Sequence, residues 1–105
     1  MRHFTPQQLQ KYLTTGASPL LLDVREPWEF DICHIENSVL VPMGQIPTRL
    51  DMLDKARETI VICHHGIRSR QVAMYLEHYA FENVINLTGG VEAWAEQVDS
   101  SMPRY

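Results

Sequence analysis

The 105-residue sequence predicts a single α/β domain built around a parallel sheet of about four to five strands with helices on both faces. Two observations support this fold class. Short, nearly all-apolar runs alternate with longer segments of helical spacing, which is typical of a covered parallel sheet. Several of these runs are bounded by proline or rich in β-branched residues, as in strands buried on both faces. The predicted strands are residues 20–24, 38–41, 59–63 and 83–87.

The first helix has a clear start signal. Thr5 can cap it, Pro6 suits its first position, and Gln8 can complete a capping box, while Gly16 ends the segment. Further helices are predicted at residues 46–56, 68–79 and 91–98.

Aromatic residues in two of these segments are predicted to pack rather than to bind ligands. Trp94 shares one helical face with Val91 and Val98, which is the spacing of a core stripe. Trp28 and Phe30 are likewise interpreted as packing residues. We place the domain core at residues 5–98 and predict that residues 99–105 form an irregular tail.

Composition and charge exclude several classes of protein. Hydrophobic residues make up 45% of the chain and the net charge is −4, so a general nucleic-acid binder is not indicated. The longest apolar runs are only a few residues, too short to span a membrane. No apolar segment follows the N-terminal Arg2, so we expect no signal peptide and a cytoplasmic protein. In that reducing compartment two cysteines favour thiol chemistry, a metal site or inert packing over a structural disulfide.

Residues 60–70 carry the strongest chemical signal. Cys63 ends a buried strand, and ligands in open α/β sheets bind at the carboxyl ends of strands. A short loop containing Gly66 follows, and a helix is predicted to begin near Arg68. Loop N–H groups and a helix N-terminus form an anion site that stabilises a thiolate.

The charge around this loop is also biased. Residues 59–76 contain no Asp or Glu, although they contain His64, His65, Arg68 and Arg70. Two plainer interpretations remain open at this point: Cys63 as a small core residue, and the basic residues as a solvated face.

Four segments in order resemble the single-domain rhodanese family of sulfurtransferases. The active-site loop Cys-x-x-Gly-x-Arg-Ser is matched by residues 63–69, and the Asp-Val-Arg-x-x-x-Glu-Phe segment by residues 23–30. The His-Ile-x-x-Ser/Ala segment is matched by residues 34–38, and Gly-Gly-x-x-Ala-Trp by residues 89–94. The resemblance implies a rhodanese-like three-layer domain.

It also implies a covalent sulfur carrier. Cys63 would take the outer sulfur of a donor such as thiosulfate, hold it as a persulfide, and pass it to a nucleophilic acceptor. The acceptor would be cyanide in assays and a thiol or a protein in the cell, and a protein could also serve as the donor. No metal or organic cofactor is implied. Two successive displacements predict ping-pong kinetics.

The resemblance assigns the substrate-binding loop and one residue outside it. The loop residues are His64, His65, Gly66, Ile67, Arg68 and Ser69, and Arg25 is placed near the pocket rim. Plainer interpretations stand beside these: exposed histidines, a solvated Arg68, Ser69 as a helix cap (the favoured role), and an Asp23–Arg25 ion pair that holds the scaffold (favoured over a rim position).

Alternative functions are weighed against this interpretation. The loop from Cys63 to Arg68 has six residues, one fewer than in the related phosphatase-like proteins, which disfavours a phosphatase. Zinc binding by the cysteines and adjacent histidines is disfavoured because the spacing does not match known zinc motifs. The alternative from another class is a non-catalytic module that binds a partner protein or a small anion.

Cys33 departs from the family pattern, which has Gly before the His34-Ile35 pair. A positive φ at this position would strain a cysteine. Cys33 could also act as a resolving thiol for Cys63, which we consider the less favoured role.

Overall fold

The computed structural model describes all residues 1–105, and its sheet is parallel throughout. The strands are β1 Arg2–Phe4, β2 Leu20–Asp23, β3 Val39–Leu40, β4 Thr59–Ile62 and β5 Val84–Leu87, in the spatial order β1-β5-β4-β2-β3. The α-helices are α1 Pro6–Leu13, α2 Pro27–Ile32, α3 Ile46–Arg49, α4 Ile67–His78 and α5 Gly90–Gln97. The predicted α/β class is confirmed.

The four predicted strands all form, each with ends within one residue of the prediction. The capping box of α1 is confirmed, because the Thr5 side chain accepts from the Gln8 N–H and the Gln8 side chain accepts from the Thr5 N–H. Strand β1 was not predicted. It is only three residues long and lies at the sheet edge, where Arg2 is in register with Ile85.

Two helices differ from the prediction. Helix α2 was missed, although Pro27 at its first position and Glu29 in a capping box are start signals. The helix predicted over residues 46–56 ends as α3 at Arg49 and continues only as a short 3-10 turn, Leu50–Met52. Beyond it the Asp54 carboxylate accepts from the Ala56 N–H, a local bond that competes with helix formation.

The core lies on both faces of the sheet, and β4 contributes to each. Ile60 and Ile62 face one cluster with Trp94, while Val61 faces the other. Trp94 and Val91 are buried as predicted, whereas Trp28 is 61% exposed, so its prediction as a packing residue is wrong. No helix has the length and apolar character needed to cross a bilayer.

The loop that follows β4, residues 63–66, packs against the first turn of α5. The Val91 N–H donates to the Cys63 carbonyl (2.9 Å), and the Glu92 N–H donates to the His64 carbonyl (3.1 Å). Gly90 makes this approach possible, because a Cβ there would lie 2.3 Å from the Cys63 carbonyl oxygen. Two backbone hydrogen bonds therefore join the loop after β4 to the first turn of α5.

Candidate active site

Cys63 follows β4 at the carboxyl edge of the sheet and is 1% exposed. Its Sγ accepts a hydrogen bond from the Gly66 N–H at 3.0 Å and lies 3.2 Å from the Ser69 Oγ. The Ser69 hydroxyl in turn donates to the Asn86 Oδ1 at 2.5 Å. The sulfur is thus the end of a buried polar chain that runs from α4 to β5.

Gly66 shapes the loop and caps α4. Its φ of +95° is left-handed, and a Cβ would meet the Gly89 nitrogen at 2.9 Å. The favoured role of Ser69 as a helix cap is wrong, since Gly66 occupies the N-cap position. Ser69 lies within the first turn, where its side chain turns toward Cys63 and Asn86.

Arg68 is not a free cation. Its Nη1 and Nη2 atoms bind the two oxygens of Glu29 at 2.7 and 2.8 Å, a bidentate pair. Glu29 is buried and also accepts from the Glu26 N–H (3.0 Å) and the Tyr105 O–H (2.8 Å). The hydrogen bonds from Arg68 outweigh burial and, with the other donors, lower the pKa of Glu29 to about 2. The charge of Arg68 is therefore balanced within the protein.

Arg25 does not lie at the pocket rim, because its side chain is fully buried. Its Nε and Nη2 bind the Asp23 carboxylate at 2.9 and 2.7 Å, and Nη2 also donates to the Cys33 carbonyl at 2.7 Å. Its Nη1 donates to the Tyr105 hydroxyl at 2.8 Å. The expected rim position is thus corrected, and these contacts match the ion-pair interpretation.

Cys33 adopts an ordinary backbone conformation. Its φ of −164° is extended, so replacing the family glycine causes no strain, contrary to the concern raised by the sequence. The side chain is buried in the core cluster that contains Trp94. Both Cys33 and Cys63 are free thiols.

The two loop histidines differ in exposure. The His64 ring is stacked between His65 and Tyr105, with centroid distances of 3.9 and 4.0 Å, whereas His65 is exposed. Burial and the neighbouring His65 lower the pKa of His64. The His64 Nε2 lies 3.6 Å from the Glu92 Oε2. His64, His65 and Glu92 are the side chains close enough together to hold a metal ion, with ligand atoms within 4.8 Å of one another.

The remaining loop residue, Ile67, begins α4 and is 69% exposed. The structure thus brings residues 63–69 together and leaves Ile67 and His65 facing solvent.

Three side chains around the site were not singled out from the sequence. Glu29 belongs to a segment that resembles the family, and Asn86 is a polar residue in an otherwise apolar strand. Both could therefore have been recognised from the sequence as candidate site residues. Nothing in the sequence pointed to Tyr105, because it contacts Arg25 across 80 residues of chain.

Comparison with known proteins agrees with this geometry. The family model described as Rhodanese-like domain matches residues 5–97. A rhodanese-like domain protein from Staphylococcus aureus superposes with a TM-score of 0.86 at 31% identity, covering 93% of this chain and 95% of that one.

Sequence relatives include proteins named as sulfurtransferases. The putative sulfurtransferase YtwF of Bacillus subtilis is 42% identical over 94 residues, covering 90% of each chain. The probable adenylyltransferase/sulfurtransferase MoeZ of Mycobacterium tuberculosis is 34% identical over 103 residues. The match covers 96% of this chain but only 26% of MoeZ, so the chain spans about a quarter of that relative. These relatives support a sulfur-transfer role in general. By sequence and by structure, the chain belongs to the rhodanese-like domain family.

Proposed function

We propose that this chain is a sulfurtransferase in which Cys63 carries the transferred sulfur as a persulfide. One observation supports it above all: the Cys63 Sγ lies at the end of the central strand and accepts the Gly66 N–H at 3.0 Å. A thiolate or persulfide needs such donors, and a merely packed thiol does not.

The reaction consists of two displacements at sulfur. With thiosulfate as donor, the Cys63 thiolate attacks the outer sulfur, the donor S–S bond breaks, and its electron pair leaves with sulfite. An acceptor such as cyanide then attacks the outer sulfur of the persulfide and leaves as thiocyanate, which regenerates the thiolate. Each half-reaction conserves charge and needs no oxidant, and the sequence gives ping-pong kinetics.

The first turn of α4 supplies the electrostatic support. Helix α4 is twelve residues long, and the N–H groups of its first turn point toward the loop, which favours negative charge on the Cys63 sulfur. In the thiol form Cys63 donates to the Ser69 hydroxyl. When the thiolate forms, that hydroxyl can rotate and donate to sulfur instead. The Ser69 hydroxyl can therefore hydrogen-bond to the Cys63 sulfur in both its thiol and its thiolate form.

Intact mass after incubation with thiosulfate tests the proposal. Wild type and Cys33→Ser should each gain one sulfur atom that cyanide removes, while Cys63→Ser should gain none. The cysteine at position 33 is the matched control because it is also buried and free. A gain that is retained in Cys63→Ser would refute the assignment of the nucleophile. The absence of any gain, with thiosulfate and with persulfide donors, would favour the alternative of a non-catalytic binding module.

A further inference from the structure

One ring nitrogen in the loop after β4 has no hydrogen-bond partner. The His64 Nε2 is buried and makes no hydrogen bond, although the large majority of buried side-chain polar atoms make at least one. The Glu92 Oε2 lies 3.6 Å from it, which is too long for a hydrogen bond. A buried imidazole nitrogen that lies beside a carboxylate without bonding to it is available as a metal ligand.

The spacing of these two atoms suits a shared metal ion. Zinc binds imidazole nitrogen at about 2.0–2.1 Å and carboxylate oxygen at about 2.0–2.2 Å, so two tetrahedral ligands lie about 3.4 Å apart. The distance between the His64 and Glu92 atoms, 3.6 Å, is close to this value. His65 is the third side chain, and ligand atoms of all three lie within 4.8 Å of one another. Because His65 is exposed, its ring can turn from its stacked position and direct a nitrogen at the ion.

Contacts outside this cluster hold two of the three side chains in place. The Glu92 N–H donates to the His64 carbonyl at 3.1 Å, which fixes α5 against the loop. Tyr105 stacks on the His64 ring, with centroids 4.0 Å apart. Arg104 binds the Glu92 Oε1, while Oε2 lies on the side of His64. Outer contacts of this kind orient metal ligands, and the cluster has them on both His64 and Glu92.

The charges around the cluster indicate which class of cation fits. Arg104 neutralises the charge of Glu92, and Arg70, which has no ion-pair partner, lines a cleft together with His65. Little negative charge is therefore left to hold a hard cation such as Mg²⁺ or Ca²⁺, which bind through several oxygen ligands. Imidazole nitrogens instead suit zinc and other first-row transition metals, so the donor set favours an ion of that class.

We propose that His64, His65 and Glu92 form a binding site for a divalent transition metal ion such as Zn²⁺. Three protein ligands and a water molecule make up the coordination of an open zinc site. The site does not depend on the proposed sulfur transfer, because Cys63 is not among its ligands. Spacing along the chain gave no indication of it, since Glu92 belongs to α5 and only the fold brings it to the two histidines. The zinc site disfavoured by the sequence included the cysteines, which take no part here.

The affinity for Zn²⁺, measured by competition with a chromophoric chelator, tests the proposal. The parent protein for the test is Cys63→Ser, which removes the loop thiol as a ligand, and it should bind one Zn²⁺ per chain. Loss of an outer-shell partner alone weakens metal affinity by about 10–100-fold, so Glu92→Gln and His65→Gln should each weaken it by at least about tenfold. His78→Gln is the matched control, because His78 is an exposed histidine outside the cluster. Its affinity should equal that of the parent.

Thermal unfolding gives a second measurement. An ion that binds the folded chain raises its Tm, so Zn²⁺ should raise the Tm of the parent and of His78→Gln but not of Glu92→Gln, and Mg²⁺ should have no such effect. If Glu92→Gln does not fold, His65→Gln, which changes an exposed side chain, decides. Equal zinc affinity in the parent, Glu92→Gln and His65→Gln would overturn the proposal. Zinc binding by wild type that is lost in Cys63→Ser would assign the ion to the thiol and would also overturn it.

Discussion

Replacing Gly90 with alanine should displace the backbone of the loop that carries Cys63, although Gly90 itself lies in α5. The added Cβ would lie 2.3 Å from the Cys63 carbonyl oxygen and 2.4 Å from the His64 carbonyl oxygen. Both are backbone atoms, so no side-chain rotation can relieve the overlap. The φ of Gly90 is also +59°, a left-handed conformation that costs alanine about 1–2 kcal/mol.

The expected magnitude follows from these two effects. Relief of the overlap requires α5 and the loop to separate, which weakens the bonds from the Val91 and Glu92 N–H groups. Two such hydrogen bonds contribute about 2 kcal/mol together. With the conformational cost, Gly90→Ala should lower the free energy of unfolding by about 3–4 kcal/mol.

Gly16→Ala is the matched control. Gly16 also has a left-handed φ, +88°, but a Cβ there has no neighbour within 4 Å. It should therefore show only the conformational cost of about 1–2 kcal/mol. In urea unfolding the two midpoints should differ by roughly 1 M, given the usual slope for small domains. Equal midpoints would refute the conclusion that close packing of α5 on the loop makes glycine necessary at position 90.

Three further perturbations test the hydrogen bonds made by Cys63, Glu29 and Arg25. Ser69→Ala removes the partner of Cys63 and leaves the Asn86 oxygen unpaired, so we expect a loss of about 1–3 kcal/mol in urea unfolding and slower persulfide formation by intact mass. Stability of wild type should fall as pH decreases from about 4.5 toward about 2, because the lowered pKa of Glu29 stabilises the fold only while the carboxylate is charged. Urea midpoints at about pH 6 and about pH 3 should therefore differ less in Glu29→Gln than in wild type; equal differences would contradict this. Tyr105→Phe removes one partner from Glu29 and one from Arg25 and should cost about 1–3 kcal/mol, and an unchanged midpoint would show that the hydroxyl does not brace these two side chains.

The sequence predicted what local patterns can encode. The strand over residues 59–63 was predicted from its short, uninterrupted apolar run. The loop after it was predicted because Cys63 follows that run and Gly66 comes three residues later. The capping box of α1 was readable because its partners are three residues apart.

The sequence did not predict contacts that join distant parts of the chain. The family resemblance implied a rim position for Arg25, whereas the ion pair with Asp23 that the sequence also indicated, the Cys33 carbonyl and Tyr105 satisfy it inside the protein. Arg68 was assigned to the substrate-binding loop, and its pairing with Glu29 was not predicted because the two residues lie 39 positions apart. Neither the contact of Arg25 with Tyr105 nor that of Arg68 with Glu29 can be inferred from spacing along a helix or strand.

The order of strands in the sheet has a consequence for folding. Because β1 is paired with β5, β1 can join the sheet only after the segment up to Leu87 has been synthesised. The same delay applies to the candidate active site, since Glu29 receives one of its hydrogen bonds from Tyr105 across 76 residues. Long-range contacts of this kind lower the folding rate, because loop closure precedes the contacts that compensate for it. A nascent chain in which Cys63 has already emerged therefore exposes its thiol before the hydrogen bonds from Gly66 and the first turn of α4 have formed around the sulfur.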